Sequence, residues 1–183
     1  MNLEKYQQYS RIARGLEKAD LVLKDARIVN VFTEEIIRGD IAIQDGIIAG
    51  IGSFHGKEER DLAGRYVCPG FIDSHLHLES TLVTPAELVT VASRHGTTTF
   101  IVDPHESANV SGLAGVDYIL DQTENVKANV YVMMPSCVPA TSIDDNGCTL
   151  TAEDMAPYLH NSRILGLGEV MDSISVVQGE KSM

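Results

Sequence analysis

Two histidines separated by one residue have the clearest chemical potential in this sequence, in the segment Asp73-Ser74-His75-Leu76-His77. They follow a short apolar stretch that is typical of a β-strand. Side chains two positions apart in a strand point to the same side, so the imidazoles of His75 and His77 could converge on one metal ion. The competing interpretation is a pair of partly exposed histidines without a ligand.

Three further apolar stretches also end in groups that ligate metals or transfer protons. These groups are Asp103, His105 and Glu106 after the second stretch, Ser136 and Cys137 after the third, and Glu169 at the fourth. In parallel α/β barrels, ligands and catalytic groups project from the carboxyl ends of the strands. A carboxylate such as Glu169 can bridge two divalent ions that imidazoles partly hold. The four stretches would therefore deliver their groups to one rim.

The spacing of apolar residues after residue 66 predicts strands that alternate with helices. The strands are predicted over 70–73, 97–102, 129–134 and 164–170, and the helices over 85–94, 113–124 and 152–159. This α/β alternation is typical of a parallel sheet, in either a doubly wound fold or a (β/α)8 barrel. No G-x-G-x-x-G is present, so the doubly wound fold lacks its phosphate loop. A barrel needs eight units over about 250 residues, so four strands amount to half of one.

The first third of the chain has a different pattern. Apolar residues at every third or fourth position predict an amphipathic helix over 3–16. β-Branched stretches over 21–31 and 36–51 predict short antiparallel strands, with a tight turn at Asp45-Gly46. A polar segment over 57–61 is expected to separate this region from the alternating strands and helices.

The composition excludes several classes of function. A chain of 183 residues with 44% hydrophobic and 22% charged residues can build a globular core. Its net charge of −12 argues against nucleic acid or an anionic membrane as a partner. No apolar run approaches the ~18 residues of a membrane span, and the first residues lack the apolar region of a secretory signal. A cytoplasmic location and three reduced cysteines are therefore expected.

Beyond these patterns, the sequence resembles enzymes of the amidohydrolase superfamily. The matching segments in residues 19–77 are A-D-L-V-L-K-D-A-R-I-V-N-V, D-I-A-I-Q-D-G-I-I-A-G-I-G and Y-V-C-P-G-F-I-D-S-H-L-H. Within that superfamily, four later segments are similar to those of adenine deaminases: H-L-H-L-E-S-T-L, T-T-T-F-I-V-D-P-H-E, V-M-M-P-S-C-V-P-A-T and G-L-G-E-V-M. The resemblance extends over nearly the whole chain from about residue 19.

The resemblance implies a fold, a reaction and a substrate. It implies an N-terminal helix over 1–18, a partial β-sandwich over 19–66 and the first half of a TIM-type (β/α)8 barrel over 67–183. The implied reaction is the hydrolysis of adenine to hypoxanthine and ammonia by metal-activated hydroxide. A purine is thus the implied small-molecule partner, and homo-oligomerisation is an expectation for the family.

The resemblance also implies which residues form the site. His75, His77 and Glu169 match metal ligands of a binuclear Mn or Fe centre, with Zn as an alternative. Four residues match motif positions without an individual role and are candidates for acid–base work: Glu79, Asp103, His105 and Glu106. The general base and two more histidine ligands of the family lie in strands that this sequence does not contain, and the substrate-binding residues are not identified.

Because these strands are missing, we expect the isolated chain to be a truncated and inactive fragment. Residues 173–183 are expected to form an interrupted loop. Two alternatives stay open at this stage. The chain could be a non-catalytic remnant or assembly domain. It could also come from an amidohydrolase that acts on another cyclic amide or amino-heterocycle.

Overall fold

The computed structural model describes residues 2–179 of the chain. The chain divides into two compact units, Met1–Pro69 and Gly70–Met183. The first unit contains a mixed sheet of five strands, and the second contains a parallel sheet of four strands. The α/β class expected from the sequence is confirmed at this level.

The first unit starts with helix α1, Leu3–Ala13, and continues with five strands. These are β1 (Ala19–Asn30), β2 (Glu35–Gln44), β3 (Ile47–Gly52), β4 (Gly56–Asp61) and β5 (Tyr66–Val67). Strands β1, β2 and β3 pair antiparallel. Between β2 and β3, Asp45 and Gly46 both have positive φ, 50° and 75°, as a tight hairpin turn requires. The predicted turn is confirmed.

Helix α1 ends earlier than the predicted 3–16 because a left-handed glycine terminates it. Gly15 has a φ of 69°, and its N–H donates to the carbonyl of Ile12 at 2.8 Å. The N–H of Leu16 donates to the carbonyl of Arg11 at 2.9 Å. This pair of hydrogen bonds is the Schellman motif that closes helices at a glycine.

The prediction of a polar break over 57–61 is wrong, since these residues form most of β4. Both β4 and β5 pair in parallel with β1, so the expected antiparallel pairing holds for β1, β2 and β3. All residues of β4 after Gly56 are charged and exposed. Charge on an edge strand disfavours pairing with other chains, but it leaves no apolar pattern by which the strand could be recognised.

A buried carboxylate ties the strands of the first unit together. Asp40 in β2 is 8% exposed and accepts hydrogen bonds from the Lys24 ammonium and from the N–H groups of Asp25 and Phe54. Lys24 also donates to the carbonyl of Phe54 at 2.9 Å. Burial by itself would raise the pKa of Asp40, but Lys24 and the two backbone donors hold that pKa below its usual value. The pair joins β1, β2 and the segment before β4.

The second unit alternates strands with helices. Its strands are β6 (Phe71–Leu76), β7 (Thr97–Val102), β8 (Asn129–Met134) and β9 (Ile164–Leu167). They pair in parallel in the order β6-β7-β8-β9. Its helices are α2 (Pro85–Ser93), α3 (His105–Ser111), α4 (Leu113–Gln122), α5 (Ala152–Met155) and α6 (Ser173–Gln178), with 3₁₀ turns at Glu79–Thr81 and Ala156–His160. This sequential order lacks the reversal that defines a doubly wound sheet.

Most predicted elements of the second unit are confirmed, with shifted ends. Strands β7 and β8 have the predicted bounds, β6 extends to include His75, and β9 ends at Leu167. The helix predicted over 152–159 becomes one α-helical turn and a 3₁₀ turn, because Pro157 supplies no backbone N–H.

Two short helices in this unit were not predicted. Helix α3 starts directly at His105, and helix α6 lies where a loop over 173–183 was expected. Residues 180–183 of that expected loop lie outside the described residues.

The core of the second unit is formed by buried side chains of the parallel strands and of the helices that pack against them. Five of the most deeply buried side chains are at most 1% exposed: Val102, Val116, Ile119, Val132 and Met134. The carboxyl ends of the strands extend past this core and carry the polar groups. No helix within residues 2–179 is long and apolar enough to cross a membrane.

Replacing the buried carboxylate of the first unit provides a stability test. We expect Asp40→Asn to lower the free energy of unfolding by about 2–3 kcal/mol, because Lys24 loses its charged partner. Since the folded pKa of Asp40 is lowered, its stabilisation is present above the unfolded pKa near 3.9 and is lost as the pH falls through the folded pKa. Urea unfolding at several pH values measures both effects.

The matched control for this test is Glu58→Gln, which breaks an exposed ion pair with Arg60. Exposed pairs contribute about 0–1 kcal/mol. An equal loss of stability in the two variants would contradict the role given to Asp40.

Candidate metal centre

The two histidines of the H-x-H segment converge at the carboxyl end of β6. His75 lies in the strand and His77 one residue beyond it, and their Nε2 atoms are 3.0 Å apart. Two nitrogens about 2.0–2.1 Å from one ion, at right or tetrahedral angles, would be about 2.9–3.4 Å apart. The spacing therefore fits two ligands of a single ion.

The orientation of the His77 ring is fixed from the next strand. Its Nδ1 donates to the backbone carbonyl of Asp103 at 2.8 Å, which leaves the Nε2 lone pair free to ligate. Glu106 Oε2 lies 3.2 Å from the same Nδ1. Burial opposes protonation, but the Asp103 carbonyl and the carboxylates of Glu106, Asp103 and Glu169 together raise the pKa of His77 above its usual value.

Glu169, which follows β9, faces both histidines. Its Oε1 lies 3.6 Å from His77 Nε2, and its Oε2 lies 3.9 Å from His75 Nε2. The hydroxyl of Ser136 donates to the Glu169 carbonyl at 2.6 Å, and the Glu169 N–H donates to Asp103 Oδ2 at 3.1 Å. Residues after β7 and β8 thus hold the Glu169 backbone from both sides.

The residues after β7 complete a compact cluster. Asp103 is 1% exposed, and this burial raises the pKa of its carboxyl group. His105 Nδ1 lies 3.6 Å from Glu169 Oε1 and 4.0 Å from Asp103 Oδ1. The rings of His77 and His105 meet edge to face, with centroids 4.6 Å apart. Carboxylates and imidazoles from three strand ends are therefore in mutual reach.

Glu79 and Glu106 form a carboxyl pair beside the histidines. Glu79 Oε1 accepts the N–H of Ser107 at 3.1 Å and so caps α3, whose own N-cap residue provides no side-chain hydrogen bond. Burial, with Glu106 nearby, raises the pKa of Glu79. Burial by itself would raise the pKa of Glu106 as well. A backbone hydrogen bond, the contact with Glu79 and the two neighbouring histidines outweigh it, so that the pKa of Glu106 is lowered. Glu106 is thus the member of the pair that ionises first.

Several buried polar atoms in this cluster lack a hydrogen-bond partner within the described part of the chain. They are Glu79 Oε2, Asp103 Oδ1, His105 Nδ1 and Glu106 Oε2. Each such atom costs about 1–3 kcal/mol. Three sets of ligand atoms lie within 4.8 Å of one another: His75, His77 and Glu169; His77, His105 and Glu106; and Asp103, His105 and Glu169. Imidazole and carboxylate donors suit divalent transition metals, so these residues fit such an ion.

The seven residues given as metal ligands or acid–base candidates all lie in this cluster. Ser136 and Cys137 contact the backbone after β9 instead: the Ser136 hydroxyl donates to the Glu169 carbonyl, and Cys137 Sγ accepts the N–H of Met171 at 3.4 Å.

The sequence analysis missed the roles of Gly168 and Ser80. A Cβ at Gly168 would lie 2.1 Å from Asp103 Oδ2, so the glycine allows the approach of β9 to that carboxylate. A glycine directly before the candidate ligand Glu169 was the feature of the sequence that could have indicated this close approach. Ser80 donates to Glu106 Oε1 at 3.2 Å, a contact across 26 residues that no local pattern indicates.

Adding a methyl group at Gly168 provides a test of the site geometry. We expect Gly168→Ala to displace Asp103 and Glu169, to lower the free energy of unfolding by about 1–3 kcal/mol and to weaken binding of a divalent ion. In the matched control Gly166→Ala, the nearest atom to the new Cβ is Met133 Cε at 3.8 Å, which is an ordinary contact. Thermal unfolding and Zn²⁺ titration compare the two, and equal behaviour would contradict the close approach at Gly168.

Comparisons with known proteins identify the family. The sequence profile described as "Amidohydrolase family" matches residues 66–173, which include the whole cluster. An adenine deaminase of Desulfitobacterium hafniense is 57% identical over 183 residues, which are 100% of this chain and 32% of that protein. An adenine deaminase of Geobacillus kaustophilus is 50% identical over 166 residues, which are 91% of this chain and 29% of that protein. The chain spans about a third of the length of these relatives.

A solved structure shares the fold. It is the N-acyl-D-glutamate deacylase of Bordetella bronchiseptica, complexed with zinc and a phosphonate inhibitor. The TM-score is 0.52 at 22% identity, over 76% of this chain and 34% of that chain. The profile match covers more than half of the sequence, and the chain therefore belongs to the amidohydrolase family.

Proposed function

We propose that this chain carries the metal-binding part of an adenine deaminase, an enzyme that hydrolyses adenine to hypoxanthine and ammonia. The observation that carries the proposal is the convergence of His75, His77 and Glu169 at two strand ends. The 57% identity to an adenine deaminase supports adenine as the substrate.

The proposal includes a larger architecture. The four strands of the second unit, with their helices, would form part of a (β/α)8 barrel over residues 67–183. Their sequential parallel order and the polar groups at their carboxyl ends support this arrangement. The segment over 1–18, which contains α1, would be an N-terminal helical segment, and residues 19–66 would form a partial β-sandwich domain.

His75 and His77, through Nε2, and Glu169, through its carboxylate, would hold the proposed metal. This donor set suits Mn, Fe or Zn. A bound divalent ion lowers the pKa of its water from 15.7 to about 7 and so supplies hydroxide at neutral pH. The hydrogen bond from His77 Nδ1 to the Asp103 carbonyl keeps the proton on that nitrogen and the ring in its ligating orientation.

Proton transfer is the second task of such a site. Deamination requires a proton at the departing amino nitrogen. Glu106 Oε2 lies 3.2 Å from His77 Nδ1 and 3.7 Å from His105 Nδ1, and Glu79 holds its proton more tightly than Glu106 does. We assign this group of side chains to the storage and movement of protons beside the metal.

Metal binding by the chain itself tests the ligand assignment. We expect His75→Ala and His77→Ala each to weaken Zn²⁺ binding at least about 10-fold. Each variant removes a direct ligand, and even the loss of a ligand's hydrogen-bond partner costs about 10–100-fold. His160→Ala, at an exposed histidine in the second 3₁₀ turn, serves as the control. Isothermal titration calorimetry measures the affinities, and unchanged binding in both ligand variants would exclude this site.

A chimeric enzyme tests the reaction. This chain would replace the matching 183 residues of the D. hafniense adenine deaminase, and hypoxanthine and ammonia would be measured with adenine as substrate. We expect turnover in the chimera and a loss of at least about 100-fold with His77→Ala, by the same ligand argument. His160→Ala is expected to leave turnover unchanged. A folded, metal-loaded chimera that hydrolyses a cyclic amide but not adenine would contradict the substrate assignment.

A further inference from the structure

We propose that Ser136 is a positioning residue for the site. Its hydrogen bond to the Glu169 carbonyl would set the direction in which the Glu169 carboxylate points. The inference rests on the proposed function, in which that carboxylate holds a metal ion together with two histidines. From the sequence, Ser136 is one of the groups that could ligate a metal or transfer a proton, but its contacts favour a different role.

Strand pairing does not fix the backbone of Glu169. The last paired residue of β9 is Leu167, and residues 168–172 have no regular secondary structure. Side chains that follow two other strands bind this backbone instead. The Glu169 N–H donates to Asp103 Oδ2 at 3.1 Å, and the Glu169 carbonyl accepts the hydroxyl of Ser136 at 2.6 Å. Both backbone polar groups of Glu169 are therefore held by side chains.

The carboxylate of Glu169 lies outside hydrogen-bond range of the histidines that it faces. Its oxygens lie 3.6 Å from His77 Nε2, 3.6 Å from His105 Nδ1 and 3.9 Å from His75 Nε2. These distances are longer than those of hydrogen bonds, and the side chain is 42% exposed. The direction of the carboxylate thus depends on how the backbone of the residue is held.

The environment of Ser136 is unsuited to the other chemistry that a serine can perform. The residue is 5% exposed, and its hydroxyl donates to a carbonyl, which does not activate it as a nucleophile. Its neighbour Cys137 acts on the same segment, because Cys137 Sγ accepts the N–H of Met171 at 3.4 Å. Among residues 2–179, Cys137 belongs to none of the three sets of ligand atoms. The two residues after β8 therefore contact the backbone around Glu169 and not the ligand atoms.

A double substitution separates positioning from general stabilisation of the fold. If Ser136 acts through the Glu169 carboxylate, its removal has no further effect on metal binding once that carboxylate is gone. A serine that only stabilises the fold would have the same effect with and without the carboxylate, because the effects of independent residues add.

The Zn²⁺ affinity of the full 183-residue chain, measured by isothermal titration calorimetry, tests the inference. We expect Ser136→Ala to weaken binding about 10-fold, the lower end of the cost of losing a group that orients a ligand. In the Glu169→Ala background, Ser136→Ala is expected to change the affinity by less than about 2-fold. Ser136→Thr, which keeps the hydroxyl, is expected to bind like the unmodified chain.

The matched control is Ser93→Ala at the end of α2. The Ser93 hydroxyl is also buried but has no hydrogen-bond partner within residues 2–179, so its loss should leave Zn²⁺ binding unchanged. Equal affinities in Ser136→Ala and Ser93→Ala would overturn the positioning role. An equal loss of affinity from Ser136→Ala in the presence and in the absence of the Glu169 carboxylate would also overturn it.

The outcomes separate this inference from the proposed function. Zn²⁺ binding that survives in both His75→Ala and His77→Ala would overturn the proposed function and this inference with it. Binding that is weakened in those variants but not in Ser136→Ala would overturn the positioning role alone. Circular dichroism checks folding. If Ser136→Ala does not fold, Ser136→Thr is compared with Ser136→Val, which has the same shape without the hydroxyl, and equal affinities in this pair would contradict the inference.

Discussion

The candidate site depends on the contacts of one residue, Asp103. Its backbone N–H donates to the carbonyl of Leu76 at 2.9 Å, its carbonyl accepts from His77, and its carboxylate accepts from the N–H of Glu169. These three hydrogen bonds join the ends of β6, β7 and β9. The candidate ligands follow strands that are distant in sequence, and the hydrogen bonds of Asp103 fix the ends of these strands relative to one another.

A parallel sheet makes this arrangement possible. All four strands point in one direction, so their carboxyl ends meet at one edge while their apolar residues pack against the helices below. The strands fix the positions of the groups that lie at or directly after their carboxyl ends. Gly168 adds the remaining requirement, because a larger residue before Glu169 would collide with the Asp103 carboxylate.

Those features of the fold and of the site that depend on neighbouring residues could be predicted from the sequence. The hairpin at Asp45-Gly46 followed from turn chemistry, and β7 and β8 followed from uninterrupted β-branched and apolar runs. The convergence of His75 and His77 followed from the two-residue repeat of a strand. These features depend on neighbours in sequence, which the sequence displays directly.

The features that were missed depend on distant contacts. Strand β4 is held by pairing with β1 and has no apolar residue to reveal it. Helix α3 has seven residues, too few for a helical repeat to be recognised. The contact of Ser80 with Glu106 joins residues that become neighbours only when β6 and β7 pair.

The cap of helix α3 comes from another part of the site. This helix does not cap itself, and Glu79, from the turn after β6, satisfies the N–H of Ser107 in its first turn. This hydrogen bond links the turn that follows the H-x-H segment to the start of the helix that carries His105. If the turn moved away, the Ser107 N–H would lose its acceptor, so the two parts of the cluster are coupled through Glu79.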